Sequence, residues 1–342
     1  MSDIVYIIGA GTSVFAGAPT MKNFMPVAYE NNFIGNKLKR FIKSFYKIRF
    51  DKNAIFPNIE EILSIIEFIL DNQDTLIDKS KKNGVFEPEL IETLKFELDY
   101  LITATLEKTL KNVQNNYMKK FVEKIIRDKD NPNVTFISLN YDILLDNSLL
   151  RHLIRHISYN PSNNTLSIPI DYGCNIKWCK FTDTESKLVC SQNSIKLFKP
   201  HGSLNLLFCK ACKNLYLTVH ERGYFKTFEE DILCPDDKVR LDGFIVPPTF
   251  FKQFNKPQLE NIWINIEETI SKCKKIIFLG YSLPDADIYF KYRIKKALMR
   301  NKNNPSIEVY TGNSNGEEER YKATFGKIKF ENKYFEDYVS QL

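Results

Sequence analysis

The sequence predicts an α/β protein, a Rossmann-like parallel sheet carrying a helical insertion and a small cysteine-containing module. Three observations lead there. A run of β-branched and aromatic residues, Ile4-Val5-Tyr6-Ile7-Ile8, stops at Gly9-Ala10-Gly11, as a buried parallel strand does where it feeds a tight turn. Short apolar runs return in the second half with helical periods between them, the alternation that builds a parallel sheet covered on both faces. The runs end at Gly, Asn or His, and strand carboxyl ends are where open α/β sheets bind ligands.

Taken in order, strands are expected at 4–8, 134–139, 195–198, 244–246, 276–279 and 307–310. Between the first two the pattern is helical. Pro57-Asn58-Ile59-Glu60-Glu61 opens a helix with Ile62, Leu63, Ile66, Ile69 and Leu70 on one side. Pro88-Glu89 opens another that runs to about residue 110, and a third covers 117–127. A proline near the start and acidic residues in the first turn match helix N-termini. Later helices are expected at 262–272 and 287–298. Residues 160–193 are rich in Ser, Asn, Thr and Asp and read as loops or irregular hairpins. The chain is thus read as a single domain: a core of 1–33, 130–202 and 243–342, a helical insertion at 34–129, and a small module at 203–242.

Composition excludes several classes. With 342 residues, 43% hydrophobic and 26% charged, there is ample core, so wholesale disorder is excluded. A net charge of +6, from 48 Lys+Arg against 42 Asp+Glu, suits a lysine-rich solvated surface. No run of five or six like charges appears, so sequence-specific contact with nucleic acid is not expected. No stretch approaches the roughly 18 apolar residues of a membrane span. Asp3 and the early glycines are unlike a secretory signal, so a cytoplasmic location is expected. Seven cysteines, an odd number, then read as free or metal-bound thiols.

Five strand ends carry polar chemistry. The first is Gly9-Ala10-Gly11-Thr12-Ser13-Val14-Phe15-Ala16-Gly17-Ala18-Pro19. Glycines there let backbone approach a pyrophosphate, and a following helix N-terminus offers amides. Its spacing is G-x-G-x5-G, with Val14 where a dinucleotide fingerprint has its third glycine, and no acidic-ended second strand follows. An ordinary dehydrogenase is therefore disfavoured. The second is Ser138-Leu139-Asn140-Tyr141-Asp142, whose amide and carboxylate can hold a ribose or carboxamide, or can cap the next helix. The third is Lys199-Pro200-His201-Gly202-Ser203. Of four histidines, His201 is the one at a strand end, placed as a general base or as a structural histidine. The fourth is Leu279-Gly280-Tyr281-Ser282-Leu283-Pro284-Asp285-Ala286-Asp287, and the fifth is Tyr310-Thr311-Gly312-Asn313.

G-A-G-x-S-x5-G-x-P, then N-x-D, H-G, G-x-S and a late Asn, in that order, resembles the signature of sirtuin-type domains of the sirtuin/DHS-like NAD-binding fold. P-N-I-E-E-I-L, S-L-N-Y-D, H-G-S-L-N and L-G-Y-S-L-P-D-A-D resemble more closely the sirtuin-like branch of bacterial anti-phage systems. The resemblance covers about residues 5 to 315 and implies an NAD⁺ site. Gly9, Ala10, Gly11, Thr12 and Ser13 would wrap the pyrophosphate and adjoining ribose; Gly17, Ala18 and Pro19 would border the nicotinamide pocket. Asn140 and Asp142 would hold the nicotinamide ribose and carboxamide, with His201 as base. Gly280, Ser282 and Asn313 would meet the adenine ribose. The chain departs from the deacylases of that family in three places. Leu139 replaces a glutamine, Lys22 replaces an arginine, and Phe244-Ile245-Val246-Pro247-Pro248-Thr249 stands where F-G-E helps form an acyl-lysine groove.

Cys209-Lys210-Ala211-Cys212 is a C-x2-C pair, and Cys234 follows after 21 residues, where a zinc ribbon has its second pair about 15 to 20 residues on, so the set reads as an intact three-cysteine-plus-one site or as a remnant that has lost its metal. The fourth ligand position is Asp237, with Cys190 and His220 as other candidates, and any zinc would be structural. Cys174, Cys179 and Cys273 read as plain thiols.

The leading expectation is an NAD⁺ glycohydrolase that releases nicotinamide and ADP-ribose, an NAD-depleting effector of abortive infection. Such an effector must be silent until triggered, so control in trans is expected, by homo-oligomerisation or by an ATPase or Argonaute-like partner. The alternatives are an NAD-dependent protein deacylase and a non-catalytic nucleotide-binding assembly subunit.

Overall fold

The computed structural model describes residues 3–51, 54–79, 85–110, 116–127, 133–179, 187–218, 223–246, 257–312 and 316–342. Strand β1 (Ile4–Ile8) runs into a seven-residue 3-10 turn (Ala10–Ala16). Helices α1 (Met21–Glu30), α2 (Asn36–Phe45) and α3 (Ile59–Asn72) follow. A small ribbon, β2 (Leu76–Ile77) with β3 (Val85–Phe86), leads to α4 (Pro88–Leu110) and α5 (Tyr117–Ile125). Next come β4 (Val134–Ser138), α6 (Leu144–His152), β5 (Ser158–Asn160), β6 (Thr165–Asp171), β7 (Ile176–Cys179) and β8 (Lys187–Phe198). Strands β9 (Gly202–Phe208), β10 (Leu215–Thr218) and β11 (Asp242–Ile245) precede α7 (Pro257–Ile270). The chain closes through β12 (Lys275–Leu279), α8 (Ile288–Arg300), β13 (Ser306–Thr311), α9 (Glu317–Phe325), β14 (Lys329–Asn332) and α10 (Phe335–Gln341).

The main sheet has the order β14-β13-β12-β1-β4-β8-β6-β5 and is parallel except for the edge strand β5. Its centre is β1, and both neighbours pair with it in one register: Ile8 lies opposite Leu279 of β12 and Ser138 of β4. The chain moves one way from β1 to β4 and returns later on the other side through β12, so the strand order reverses beside β1. That reversal leaves a crevice at the carboxyl ends of the central strands. A first core, with Val5, Ile7, Phe136, Ile137 and Phe278 fully buried, packs on this sheet.

The second core joins the helical residues to the cysteine-bearing module. Its members include Leu38, Ile62, Ile66, Leu94 and Leu98 from the helices, with Leu207 and Tyr216 from the small sheet and Cys209 and Cys234 from the loops beside it. In α3 the buried residues Ile59, Ile62, Leu63, Ile66 and Ile69 follow helical spacing, and Asn58 caps the helix by accepting from the Glu60 amide at 2.9 Å. Strand β9 serves both cores, because alternate side chains leave opposite faces: Leu206 and Phe208 enter the first and Leu207 the second.

The structure departs from the sequence expectations at three places. Residues 160–193, read as loops or irregular hairpins, do form an antiparallel hairpin where β6 meets β5, but they also supply much of β6 and β8 to the parallel main sheet and β7 to the small one. Pro169 hid β6, since proline ordinarily ends a strand; it sits where the β6–β8 register shifts, the kind of irregularity that tolerates a missing donor. The strand at 244–246, placed in the parallel core, is β11 (Asp242–Ile245), antiparallel to β9 in the four-stranded sheet β11-β9-β10-β7. The helix expected directly after β1 is the 3-10 turn, closed by Gly17 at φ +94.

Candidate functional site

Four strand ends meet at the crevice. The Gly9 amide donates to the Leu279 carbonyl (2.9 Å) and the Gly11 amide to the Gly280 carbonyl (2.8 Å), so the turns after β1 and β12 lie against one another. Gly280 adopts φ +58, and a Cβ there would stand 2.6 Å from the Thr12 amide nitrogen; only glycine fits. The Leu139 amide donates to the Ile8 carbonyl (2.8 Å), which brings Asn140 over the β1 turn.

There the side chains form a buried network. Asn140 Nδ2 donates to Ser13 Oγ (3.1 Å) and approaches Thr12 Oγ1 at 3.3 Å. Ser13 Oγ donates to Asp142 Oδ2 (2.7 Å), while Asp142 Oδ1 accepts from the Leu144 amide at the start of α6 (3.0 Å). Burial holds the Asp142 carboxyl above the ordinary carboxylate range, against the opposing pull of Lys199. Both of its oxygens are thus engaged by the protein, which makes Asp142 an anchor for Ser13 and for the helix start. Asn140 differs: its amide nitrogen is fixed, but its carbonyl oxygen Oδ1 is buried with no hydrogen-bond partner among the described residues. A buried acceptor left so is costly unless something else donates to it.

His201 follows β8. Gly202 at φ +80 makes the turn, and a side chain there would run into the Phe244 carbonyl. His201 is 4% exposed, and its Nε2 lies 3.5 Å from Asp287 Oδ2. Beneath it Lys199, wholly buried, donates to the Asp142 carbonyl (2.7 Å) and pairs with Asp146 (3.0 Å). Asp146 Oδ1 also accepts from Tyr172 Oη (2.8 Å) and Asn205 Nδ2 (3.1 Å), so the charge pair is hydrogen-bonded throughout. Asp146 is absent from the residues the sequence singles out, and Lys199 and Asp287, though within the third and fourth strand ends, carry no assigned role there. A charged residue inside an apolar strand-end segment, as in Phe198-Lys199-Pro200, was the available signal.

The other expected residues are more dispersed. Ala10 lies in the 3-10 turn; Ala18 and Pro19 are buried just past its end, whereas Gly17 is exposed. Ser282 is exposed, and its carbonyl accepts from Arg320 Nη2 at 3.1 Å. Gly312 packs on the Tyr334 ring. Asn313 lies outside the described residues, as do His220 and residues 247–249. A small apolar pocket lined by Met21, Phe24, Ile59, Glu60, Leu63, Ile102 and Tyr141 adjoins the site through Tyr141.

On the other core, Cys209, Cys212, Cys234 and Asp237 place their ligand atoms within 4.8 Å of one another. Cys212 and Cys234 sulfurs are 3.8 Å apart, and Asp237 Oδ2 is 3.4 Å from Cys209 and 3.6 Å from Cys234. Zinc with Zn–S bonds of about 2.3 Å in a tetrahedron sets its sulfurs about 3.8 Å apart, so the donor set fits zinc. Tyr216 Oη stands 3.1 Å from Cys234 Sγ and donates to Asp236 (3.1 Å), an outer shell for the cluster. Burial pushes the Cys209 thiol up to about 12 when no cation is present. Cys190 is on β8, its thiol turned to the Ile170 carbonyl at 3.5 Å.

No protein-family model and no curated protein matches the chain. Among solved structures it is similar to that of Sir2Tm bound to a propionylated peptide, at 14% identity and a TM-score of 0.43, covering 99% of this chain and 90% of that one. A structure described as the structural basis for the mechanism and regulation of Sir2 enzymes is similar at 14% identity and a TM-score of 0.42, covering 99% and 89%. The parallel sheet and the site stand on this chain's own residues. No described helix is long and apolar enough to cross a membrane.

Proposed function

We propose that the protein is an NAD⁺ glycohydrolase that releases nicotinamide and ADP-ribose. The observation that carries this reading is Asn140, whose amide is held by Thr12 and Ser13 while its buried Oδ1 has no donor among the described residues. A ribose hydroxyl, a carboxamide or a water can supply that donor. In the reaction, water oxygen bonds to the ribose carbon as the bond from that carbon to the pyridinium nitrogen breaks. Nicotinamide leaves neutral with the bonding electrons, and His201 takes the proton from the water. Because the leaving group is already cationic, ribose positioning and electrostatics do most of the catalysis.

Water is the acceptor in this proposal because the segment where an acyl-lysine groove would be expected carries Phe244-Ile245-Val246, with Phe244 and Ile245 in β11. Cys209, Cys212, Cys234 and Asp237 would hold a structural zinc, which supplies cross-linking of the small sheet and no reaction step. By the family resemblance, the biological role is NAD⁺ depletion in anti-phage defence, in the cytoplasm, with control by self-association or an ATPase or Argonaute-like partner.

NAD⁺ turnover with product identification tests this, with and without neighbouring gene products. Nicotinamide and ADP-ribose should appear in equal amounts, and Asn140→Ala and His201→Ala should abolish them. Equal NAD⁺ loss by wild type and both variants would defeat the proposal. Dependence on an acyl-lysine peptide with O-acyl-ADP-ribose as product would make it a deacylase, and binding without turnover would make it an assembly subunit.

A further inference from the structure

His201 and Asp287 come from different strand ends and meet inside the protein. Asp287 is fully buried at the start of α8, and its Oδ2 lies 3.5 Å from His201 Nε2. The same oxygen accepts from Tyr281 Oη at 2.7 Å. Tyr281 is in turn fixed, because its carbonyl accepts from Tyr321 Oη at 2.8 Å. The His201 carbonyl accepts from the Val246 amide at 2.8 Å, which ties the histidine backbone to the end of β11. Asp287 is thus held by Tyr281 and stands at ion-pair distance from the imidazole Nε2.

We propose that Asp287 is the positioning residue for His201: it keeps the imidazole proton on Nε2 and so makes Nδ1 the proton acceptor of the ring. This rests on the reading of His201 as the base in the proposed hydrolysis. A neutral imidazole carries its proton on one nitrogen, and a carboxylate facing one nitrogen selects it. When Nδ1 takes the proton from water, the imidazolium that forms lies beside the Asp287 carboxylate, and no proton passes to Asp287.

The other titratable groups around the pair come from three elements. Tyr281 precedes Asp287 on the same loop, Tyr141 follows β4, and Glu60 lies in α3 and acts on both phenols. Lys199, two residues before His201, turns its ammonium away to the Asp142 carbonyl and Asp146. The carboxylate that stands beside the imidazole is therefore Asp287, itself tied to the Tyr281 phenol.

Nitrogen-15 NMR of the imidazoles, with His201 assigned by its loss in His201→Ala, reads the tautomer without turnover. Wild type should show the Nε2–H form above the His201 titration. Asp287→Asn keeps the size but places an amide that can donate to the ring, and should shift the population toward Nδ1–H. In the NAD⁺ assay the same variant should lower kcat roughly ten- to a hundredfold with little change in KM. The acid limb of its pH profile should move down by about one unit, since the imidazolium loses its carboxylate. An Nδ1–H wild type, or a tautomer and acid limb unchanged in Asp287→Asn, would overturn the inference. If no form consumes NAD⁺, the hydrolase reading fails while the tautomer measurement still decides the role of Asp287.

Discussion

Ser13 Oγ donates to Asp142 Oδ2 across 2.7 Å, joining the turn after the first strand to the start of the helix that follows β4. The same hydroxyl accepts from Asn140 Nδ2. Ser13 therefore links an anchored carboxyl to the Asn140 amide, whose carbonyl oxygen is buried with no hydrogen-bond partner among the described residues.

Removing that link separates activity from stability. Ser13→Ala leaves a buried Asp142 oxygen without its donor and should cost about 1–3 kcal/mol. It should also lower NAD⁺ turnover, because Asn140 loses one of its two holds. Asn140→Ala removes the orphaned acceptor itself and should abolish turnover with a smaller loss of stability. Urea melts beside turnover assays check the contrast, and equal stability losses would contradict it.

Lys199 and Asp146 form a buried pair whose partners must be lost together or not at all. Lys199→Met should destabilise by about 3–5 kcal/mol, since Asp146 keeps its charge without its partner. Lys199→Met with Asp146→Asn should recover a large part of that loss. A double-mutant cycle by urea denaturation measures the coupling.

Asp142 gives the pH dependence a defined sign. Its folded-state pKa is raised by burial, so its contribution to stability is fully present below the unfolded carboxylate value and is lost as pH rises through the folded one. Asp142→Asn does not titrate. Wild type should therefore lose ground to Asp142→Asn as pH climbs from about 4 toward neutrality. Thermal melts across that range check it; a difference that grows in favour of wild type with rising pH would be the wrong sign.

The cysteine cluster should bind one zinc per chain. Elemental analysis of protein purified without chelator reads the content, and Cys234→Ser should lose it. Because the cluster belongs to the core shared with α2, α3 and α4, metal removal should lower the melting temperature of the helical region as well as the small sheet.

Gly280 tests the meeting of the two glycine turns. Gly280→Ala combines a left-handed backbone with a Cβ against the Thr12 amide, and should destabilise by roughly 1–2 kcal/mol or more. Gly326, at φ +77 and ψ −121 with open space around it, should lose stability on change to alanine through backbone strain alone, with no clash added.

Much was legible in the chain itself, for local reasons. β1, β4, β12 and β13 are short apolar runs that stop at glycine or polar residues, and α3 and α4 announce themselves by proline, acidic first turns and helical spacing. The grouping of Thr12, Ser13, Asn140 and Asp142 followed from placing each at a strand end, since parallel strands bring those ends to one edge.

What the tertiary structure decided are relations between distant segments. Pro169 masks β6, and its place in the sheet comes from pairing with β8 rather than from its own pattern. That Asp142 is an anchor while Asn140 keeps an orphaned oxygen depends on which donors arrive from other strands. His201 and Asp287 are 86 positions apart in sequence and meet because the chain passes to both sides of β1. Local pattern determines strands, turns and the polar residues at their ends; packing alone determines which of those residues face one another, because a contact energy exists only once both partners have been brought out of water.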